Sequence, residues 1–322
     1  MGSRAAAALI FACAGPALAQ DISLASPIDC DLDEVCYVQQ YVDRDPGPGV
    51  LDYRCNALAN DGHKGTDFAL PSLAMMAQGV DVFATAPGVV GGIRDNMPDT
   101  GLTADTAAAI KGRECGNGVR VEHENGWTSQ YCHLKRGSIS VREGEQIKAG
   151  QTLGQVGQSG AATFPHLQLS LRKDGAQVDP FNPTDSNTCT TELPASLWQD
   201  PAPYRPGGLV AVGIFDRIPE YSEVKAGTPH LSALTSDAPA LTIWGYTFAT
   251  RKDDVLRLAL QGPNGTIIAK DITMTKPQVL AMRAIGKRRP NGAWPAGNYT
   301  GTVVLIRAGK MLEEKSITLT LP

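Results

Sequence analysis

Phe164-Pro165-His166-Leu167-Gln168-Leu169-Ser170-Leu171 is the stretch on which the interpretation of this chain depends, together with the earlier segment Gly62-His63-Lys64-Gly65-Thr66-Asp67. Alternate side chains of an extended strand share one face. His63, Gly65 and Asp67 are therefore predicted to point one way, and His166 and Gln168 to share a face of their own strand. The two segments predict a groove lined by four polar side chains, with the composition of a metal site that lacks one ligand.

Length and composition indicate a folded, soluble protein of two domains. The chain has 322 residues, of which 42% are hydrophobic and 19% are charged. These values are typical of globular proteins and argue against long disorder or a fibrous protein. The formal net charge of −4 gives no electrostatic footprint for nucleic acid or for strong attraction to an anionic membrane.

The N-terminus has the pattern of a secretory signal peptide. Arg4 precedes an apolar run that is too short to span a bilayer, and Ala17-Leu18-Ala19 has the small-residue pattern of a cleavage site. A lipoprotein site at Cys13 fits less well, because the bulky Phe11 stands just before it. No later apolar run is long enough for a transmembrane helix. We expect a secreted or periplasmic protein with no integral membrane segment after signal removal.

Six cysteines remain after this cleavage, which favours three disulfides with fifteen possible connectivities. They are Cys30, Cys36, Cys55, Cys115, Cys132 and Cys189. Cys30 and Cys36 are close enough in sequence to close a small loop. A zinc site made of cysteines is the alternative, but the chain has no Cys-x-x-Cys pair.

The pairing of Cys115 with Cys132 is open. A hairpin that turns at Asn125-Gly126 places Cys132 opposite Val119, too far along the strand from Cys115 for a direct bridge. This pair needs a longer turn, a bulge or different partners.

The pattern along the chain predicts an all-β protein. We expect a signal peptide at 1–19, a loop-rich segment with cysteines at 20–59, an antiparallel β-sheet domain at 60–180, a proline-rich linker at 181–208, and an immunoglobulin-like β-sandwich domain at 209–322. Predicted strands of the first domain are 80–84, 88–93, 118–123, 128–134 and 152–156. Those of the second are 241–248, 255–260, 266–274, 298–307 and 315–321. Between Asp95 and Glu114 an insertion is predicted to form a helical turn or two and to wall the groove.

An acidic loop in the N-terminal segment is interpreted as solvated. Asp43, Asp45 and Asp52 flank a run of prolines and glycines, but their spacing lacks the EF-hand pattern and its closing glutamate. A calcium site is therefore not predicted there.

A set of motifs in fixed order carries a family resemblance. The chain has His63-x-Gly65-x-Asp67, Ala86-Pro87-Gly88-Val89-Val90, Gly116-Asn117-Gly118-Val119, His123-x-Asn125-Gly126, Tyr131-x-His133-Leu134, Val141-x-x-Gly144, Ile147-x-x-Gly150, Leu153-Gly154-x-Val156-Gly157, Ser159-Gly160 and Pro165-His166-Leu167. Over roughly residues 60–180 this resembles the lysostaphin-like (LytM-type) zinc metalloendopeptidases. The resemblance does not extend to the residues before or after this region.

The resemblance implies a role for each residue of the groove. It assigns His63 and Asp67 as zinc ligands and puts Gln168 at the third ligand position, which in the family is the second histidine of His-x-His. It assigns His133 and His166 to assist catalysis, with zinc activating the water that attacks a peptide bond. The implied substrate is the peptide part of peptidoglycan, and the implied partners are peptidoglycan peptides or a cell-wall enzyme.

Gln168 decides between the functional hypotheses. A carboxamide offers a neutral oxygen where zinc prefers imidazole or thiolate, and a catalytic zinc usually has three protein ligands. The preferred interpretation is a degenerate groove, a pseudoenzyme that binds the cell wall or a partner. The alternatives are an active zinc endopeptidase, with Gln168 or a recruited group such as His230 as ligand, and a structural or adhesion protein. His123 is interpreted as a structural residue, as is His230 by itself.

Overall fold

The computed structural model describes residues 22–184, 196–229, 231 and 233–322. The predicted signal peptide, Cys189 and His230 lie outside the described residues. The described chain is mostly β, as predicted. In these described ranges, no helix has the length and apolar character needed to cross a membrane.

The first part of the chain contains ten strands and two short helices among the described residues. They are β1 (Tyr37–Gln40), β2 (Thr66–Ala69), α1 (Leu73–Gln78), β3 (Asp81–Phe83), β4 (Gly88–Arg94), α2 (Ala107–Ile110), β5 (Asn117–Glu122), β6 (Trp127–Leu134), β7 (Gln146–Ile147), β8 (Thr152–Gln155), β9 (His166–Lys173) and β10 (Ala176–Val178). The order of the main antiparallel sheet is β1-β2-β9-β6-β5-β4-β7, with β10 on β9 and β3 paired with β8. The predicted insertion carries α2.

Strand β9 lies between β2 and β6, and this order builds the groove. Asp67 on β2 pairs with Gln168 on β9, and Cys132 on β6 pairs with the same Gln168 from the other side. The alternating apolar residues Leu167, Leu169 and Leu171 are almost completely buried. Because successive strand side chains face opposite ways, burying these leucines turns His166 and Gln168 to the other face.

The N-terminal segment is more ordered than the sequence predicts. Tyr37–Gln40 forms the edge strand of the main sheet, where Tyr37 pairs with Ala69 and Gln40 pairs with Asp67. The carboxylates of the acidic loop accept backbone N–H bonds: Asp43 from Leu51 (3.0 Å) and Asp52 from Asn56 (2.9 Å). These carboxylates therefore hold the loop's own backbone.

The structure corrects the geometric objection to a Cys115–Cys132 bridge. These cysteines form a disulfide with a Cα–Cα distance of 4.8 Å. Cys132 lies opposite Gly118 rather than Val119, and the register shifts between Asn117 and Gly118. This bulge was one of the routes that the sequence left open. The chain also forms the predicted Cys30–Cys36 disulfide, and Cys55 is disulfide-bonded as well.

The second part of the chain contains seven strands and one helix among the described residues. They are β11 (Gly208–Phe215), α3 (Tyr221–Ala226), β12 (Ala240–Thr250), β13 (Val255–Gly262), β14 (Gly265–Thr273), β15 (Gln278–Arg288), β16 (Gly297–Arg307) and β17 (Lys310–Leu321). They form a three-stranded sheet, β11-β12-β15, and a four-stranded sheet, β14-β13-β16-β17. Two of these strands, β11 and β15, are absent from the predicted set, and β11 begins at the last residue of the predicted linker. The immunoglobulin-like assignment stays a prediction.

A small apolar cluster joins the two parts of the chain. Phe164, from the turn before β9, packs in one cluster with Val224 of α3 and with Trp244 and Tyr246 of β12. The Lys225 ammonium donates a hydrogen bond to the carbonyl oxygen of residue 163 (3.2 Å). The second part therefore packs against the turn that leads into the groove.

Candidate functional site

The five side chains selected from the sequence converge in the fold. His63 Nε2 lies 3.2 Å from Asp67 Oδ1, and His166 Nε2 lies 3.8 Å from Asp67 Oδ2. The Gln168 carboxamide lies between His63 (Nε2 to Nε2, 3.1 Å) and His133 (Oε1 to Nε2, 3.2 Å). The rings of His133 and His166 are 4.5 Å apart between centroids. These contacts span loop and strand segments that are far apart in sequence.

His63 reaches this site from a turn rather than from a strand. Strand β2 begins only at Thr66, so the predicted extended conformation does not include His63. Gly65 is packed against Gln168: a Cβ atom at residue 65 would lie 2.8 Å from Gln168 Cγ and 2.9 Å from the carbonyl oxygen of Leu169. The absence of a side chain at Gly65 therefore lets the His63 turn approach β9.

His133 is turned inward by an unusual backbone conformation. Its φ of 64° lies in the left-handed region, which is unfavourable for a residue other than glycine. The bulge at the end of β6 supplies this conformation, and backbone hydrogen bonds hold it on both sides. The His133 N–H donates to the carbonyl of Cys115 (2.8 Å), and the Gly157 N–H donates to the carbonyl of His133 (3.0 Å).

Each of the three imidazoles is fixed through its Nδ1 atom by a backbone carbonyl. The pairs are His63 with Tyr41 (2.8 Å), His133 with Ser159 (2.7 Å) and His166 with Phe164 (2.9 Å). A carbonyl oxygen only accepts hydrogen bonds, so each Nδ1 carries the proton. In the neutral ring Nε2 then has a lone pair directed into the site. Metal-binding histidines have the same arrangement, in which a partner on the second nitrogen fixes ring and tautomer.

Burial and charge set the protonation states. Burial, followed by the neighbouring His166, lowers the pKa of His133 to about 4, and burial also lowers the pKa of His166. Burial opposes the charge on Asp67, but His63 and then His166 outweigh it and hold its pKa below the ordinary value. Burial likewise opposes a charge on His63, whose pKa the Asp67 carboxylate nevertheless raises above the ordinary value. At neutral pH the site therefore contains an ionised Asp67 and a neutral His133.

The spacing of the innermost atoms suits a tetrahedral metal. Ligands held about 2.0–2.1 Å from a tetrahedral zinc are separated from one another by about 3.3 Å. His63 Nε2 lies 3.2 Å from Asp67 Oδ1 and 3.1 Å from the Gln168 amide nitrogen. Asp67 Oδ1 is buried, and its contact with His63 Nε2 is a hydrogen bond only when that imidazole is protonated at both nitrogens. Two positions thus have both the spacing and the chemistry of zinc ligands.

Gln168, at the third ligand position, lies at a suitable distance from His63 but does not offer a donor that zinc prefers. Its amide nitrogen has no lone pair available to a metal, and its oxygen is a neutral and harder donor than imidazole. Within the described ranges, no group of three or more His, Cys, Asp or Glu side chains is arranged to hold a metal ion. Of these three positions, those of His63 and Asp67 hold the donor types that zinc prefers, and that of Gln168 does not.

Solvent reaches this site through His63 and Gln168. The side chain of His63 is 11% exposed and that of Asp67 only 5%. His133 and His166 are buried, while Gln168 is partly exposed. The carboxamide therefore forms part of the surface that a ligand meets first, and the buried donors lie beneath it.

The remaining histidine within the described ranges, His123, has a different setting. Its ring nitrogens bond the carbonyl of Pro87 (2.7 Å) and the hydroxyl of Ser129 (2.8 Å), next to the hairpin turn between β5 and β6. This position is at the other end of β6 from His133.

One protein family matches the region of the chain that contains this site. The sequence model of Peptidase family M23 matches residues 61–180. These residues form a peptidase family M23 domain. The M23 domain contains all five side chains of the site.

Curated relatives match the same part of the chain. The DD-carboxypeptidase/endopeptidase Mpg of Neisseria meningitidis serogroup B is 33% identical over 122 residues, which is 37% of this chain and 22% of the relative. The peptidoglycan DD-endopeptidase ShyC of Vibrio cholerae is 30% identical over 118 residues, again 37% and 22%. The chain thus spans about a fifth of the length of these relatives. Among solved structures, the catalytic domain of the prophage-encoded M23 protein EnpA from Enterococcus faecalis is 26% identical. That alignment covers 44% of this chain and 88% of EnpA, with a TM-score of 0.30.

Proposed function

We propose that this protein is an extracytoplasmic M23-family protein whose groove binds peptidoglycan peptides without cleaving them. The observation that carries the proposal is the position of the Gln168 carboxamide, 3.1 Å from His63 and beside the buried Asp67. The resemblance to lysostaphin-like enzymes assigns a histidine ligand to that position. A carboxamide there leaves a catalytic zinc with two ligands of suitable chemistry.

The groove retains features that favour binding. Its partly exposed surface presents one imidazole and one carboxamide, which can donate to and accept from a peptide backbone. The relative ShyC bears a name, peptidoglycan DD-endopeptidase, that describes action on peptidoglycan, which supports this ligand class. Disulfides in the fold and the predicted signal peptide support a location outside the cytoplasm.

An active zinc endopeptidase is the second candidate, favoured by a separate observation. When His63 is neutral, the buried Asp67 Oδ1 has no hydrogen-bond partner among the described residues, and it lies 3.2 Å from the inward-facing Nε2 of that ring. A cation between these atoms would satisfy both. In that case Gln168 is a weak third ligand, or a further group such as His230 completes the set.

The test combines metal content, binding and cleavage in the full mature chain. Purified protein is analysed for zinc and then incubated with purified peptidoglycan, with and without added zinc and chelator. Sedimentation with peptidoglycan that chelator does not reduce, without release of peptide fragments, is the expected result. Stoichiometric zinc with chelator-sensitive release of fragments would establish the second candidate instead.

A matched pair of variants tests whether the groove is the binding surface. His63→Ala is expected to weaken sedimentation with peptidoglycan, because it removes the partly exposed imidazole of the site. His123→Ala is the control, since His123 lies at the far end of β6 with both ring nitrogens bonded. Equal binding by the two variants would place the peptidoglycan contact elsewhere.

A further inference from the structure

A cavity of about 560 Å³ lies between the edge strand β1 and the second part of the chain. Its described walls come from β1 with the loop 55–59, from Pro206 before β11, from the end of β12 with the turn after it, and from residues 277–279 at the start of β15. The volume is within the range of about 300–1,000 Å³ that is usual for ligand sites. Gln40 of the cavity wall pairs across the sheet with Asp67, so the cavity and the histidine site are close to each other while their lining residues differ.

The charged side chains that line this cavity are both cationic. They are Arg251 and Lys252, and the described part of the lining contains no aspartate or glutamate. Arg251 is partly buried, and its guanidinium donates to the Asn56 side-chain oxygen (3.0 Å). Throughout the described residues, no carboxylate forms an ion pair with Arg251 or Lys252. A partly buried guanidinium without a carboxylate partner favours an anionic ligand, which it can bind through two parallel hydrogen bonds.

Carboxamide groups make up most of the other polar lining. They belong to Gln39, Gln40, Asn56 and Gln278. The polar atoms of Gln39 are buried out of reach of solvent, whereas Asn56 and Gln278 are partly exposed and available to a ligand. Gln278 accepts a bond from the Arg283 guanidinium (2.8 Å), which brings a further cation near the cavity. A carboxamide offers one donor group and one acceptor, which is the pair that a peptide group needs.

The apolar part of the lining is formed by small or short side chains. Leu58, Ala59, Pro277 and Val279 contribute to it, and Val279 is 49% exposed. The described lining has no aromatic ring on which a sugar or a nucleobase could stack. Short aliphatic side chains together with carboxamides and cations fit a peptide that has small side chains and a carboxylate.

We propose that this cavity is a second binding site, which takes a short peptide that carries a free carboxylate. Arg251 and Lys252 bind the carboxylate, the carboxamides bind the peptide groups, and the apolar wall contacts the small side chains. The site is separate from the histidine groove. Its existence does not depend on whether that groove binds peptidoglycan or holds a metal.

Isothermal titration of the full mature chain with three probes tests the proposal. The probes are acetyl-Ala-Glu-Ala with a free C-terminus, the neutral acetyl-Ala-Gln-Ala-amide, and inorganic phosphate. The acidic peptide is expected to bind at least tenfold more tightly than either of the other two. Equal binding of phosphate would show a general anion site, and equal binding of the neutral peptide would remove the role of the cations; either result overturns the proposal.

Charge variants locate the site. Lys252→Glu reverses an exposed charge and is expected to weaken binding of the acidic peptide at least tenfold. Arg251→Gln is expected to do the same, but it also alters the bond to Asn56, so Lys252→Glu is the decisive variant. Lys270→Glu is the control, because Lys270 is exposed on β14 and does not line the cavity. Unchanged binding by Lys252→Glu, or equal loss in the control, contradicts the assignment.

Discussion

Replacing Gln168 by histidine is expected to give this protein tight zinc binding. The substitution puts an imidazole beside two donors that are already in place, His63 Nε2 and Asp67 Oδ1. Their separation of 3.2 Å is close to the ligand spacing of about 3.3 Å on a tetrahedral zinc. The existing amide nitrogen lies 3.1 Å from His63, so a ring at residue 168 needs little movement of the backbone.

The expected gain in zinc affinity can be estimated from the contribution of one metal ligand. Changing a group that only orients a ligand typically costs about 10–100-fold in metal affinity or activity. A direct ligand contributes more, so the affinity of Gln168→His for zinc should exceed that of the parent by at least about 100-fold, or about 2.8 kcal/mol. The Nδ1 bonds of the existing histidines to backbone carbonyls do not change, so the gain does not require refolding of the site.

Competition with a chromophoric chelator measures this difference directly. Gln146→His is the matched control, because Gln146 is an exposed residue on β7 of the same sheet. Adding His63→Ala to Gln168→His should return the affinity to the parental level. A folded Gln168→His protein with parental zinc affinity would refute the assignment of His63 and Asp67 as remaining ligands. Tight zinc binding by the parent protein would show that the Gln168 carboxamide does not prevent zinc binding.

Three further substitutions test the framework of the M23 domain. Tyr131→Phe should lower the free energy of unfolding by about 1–3 kcal/mol in urea denaturation, because the Thr85 N–H loses its buried acceptor at 2.8 Å. Gly118→Ala should destabilise the fold by about 1–3 kcal/mol in the same assay, because its Cβ would lie 2.4 Å from the carbonyl oxygen of Tyr131. A urea midpoint equal to that of the parent would contradict this packing. Replacing both Cys115 and Cys132 by serine opens a loop with a sequence separation of 17 and should cost about 3 kcal/mol, and a reducing agent should then no longer shift the melting temperature as far as it does in the parent.

Much of the sheet structure could be predicted from local pattern. Turns marked by glycine separate short alternating runs, and the observed β4, β6 and β8 lie within a residue or two of the predicted ranges. Strand β15 was missed because its eleven residues mix arginine and glycine with apolar residues, so its alternation is weak. Strand β1 was missed because its pairing with β2 joins distant segments and leaves its four residues buried throughout.

The sequence identified the side chains that converge at the site, but it did not predict how they are oriented. Strand periodicity places His166 and Gln168 on one face, and the family motifs supply His63, Asp67 and His133. The inward turn of His133 depends on its positive φ and on the register shift in β5–β6, which no periodicity shows. The offset of Cys115 from Cys132 was estimated from a two-residue turn, whereas the turn comprises Glu124–Gly126 and sets Cys132 opposite Gly118. The backbone carbonyls that fix the imidazoles come from separate loops, and they could not be read from the motifs.

Because backbone carbonyls hold the imidazoles, the shape of the groove does not depend on a bound metal. The three imidazoles are held by backbone carbonyls, and His133 is held by its own backbone bonds next to the Cys115–Cys132 disulfide. Phe164, which accepts the Nδ1 bond of His166 and stacks on its ring with centroids 4.3 Å apart, is packed against the second part of the chain. None of these contacts involves the side chain of residue 168. A substitution at that one position can therefore remove the third ligand while leaving the groove formed, which is the condition for a domain that keeps a binding function without catalysis.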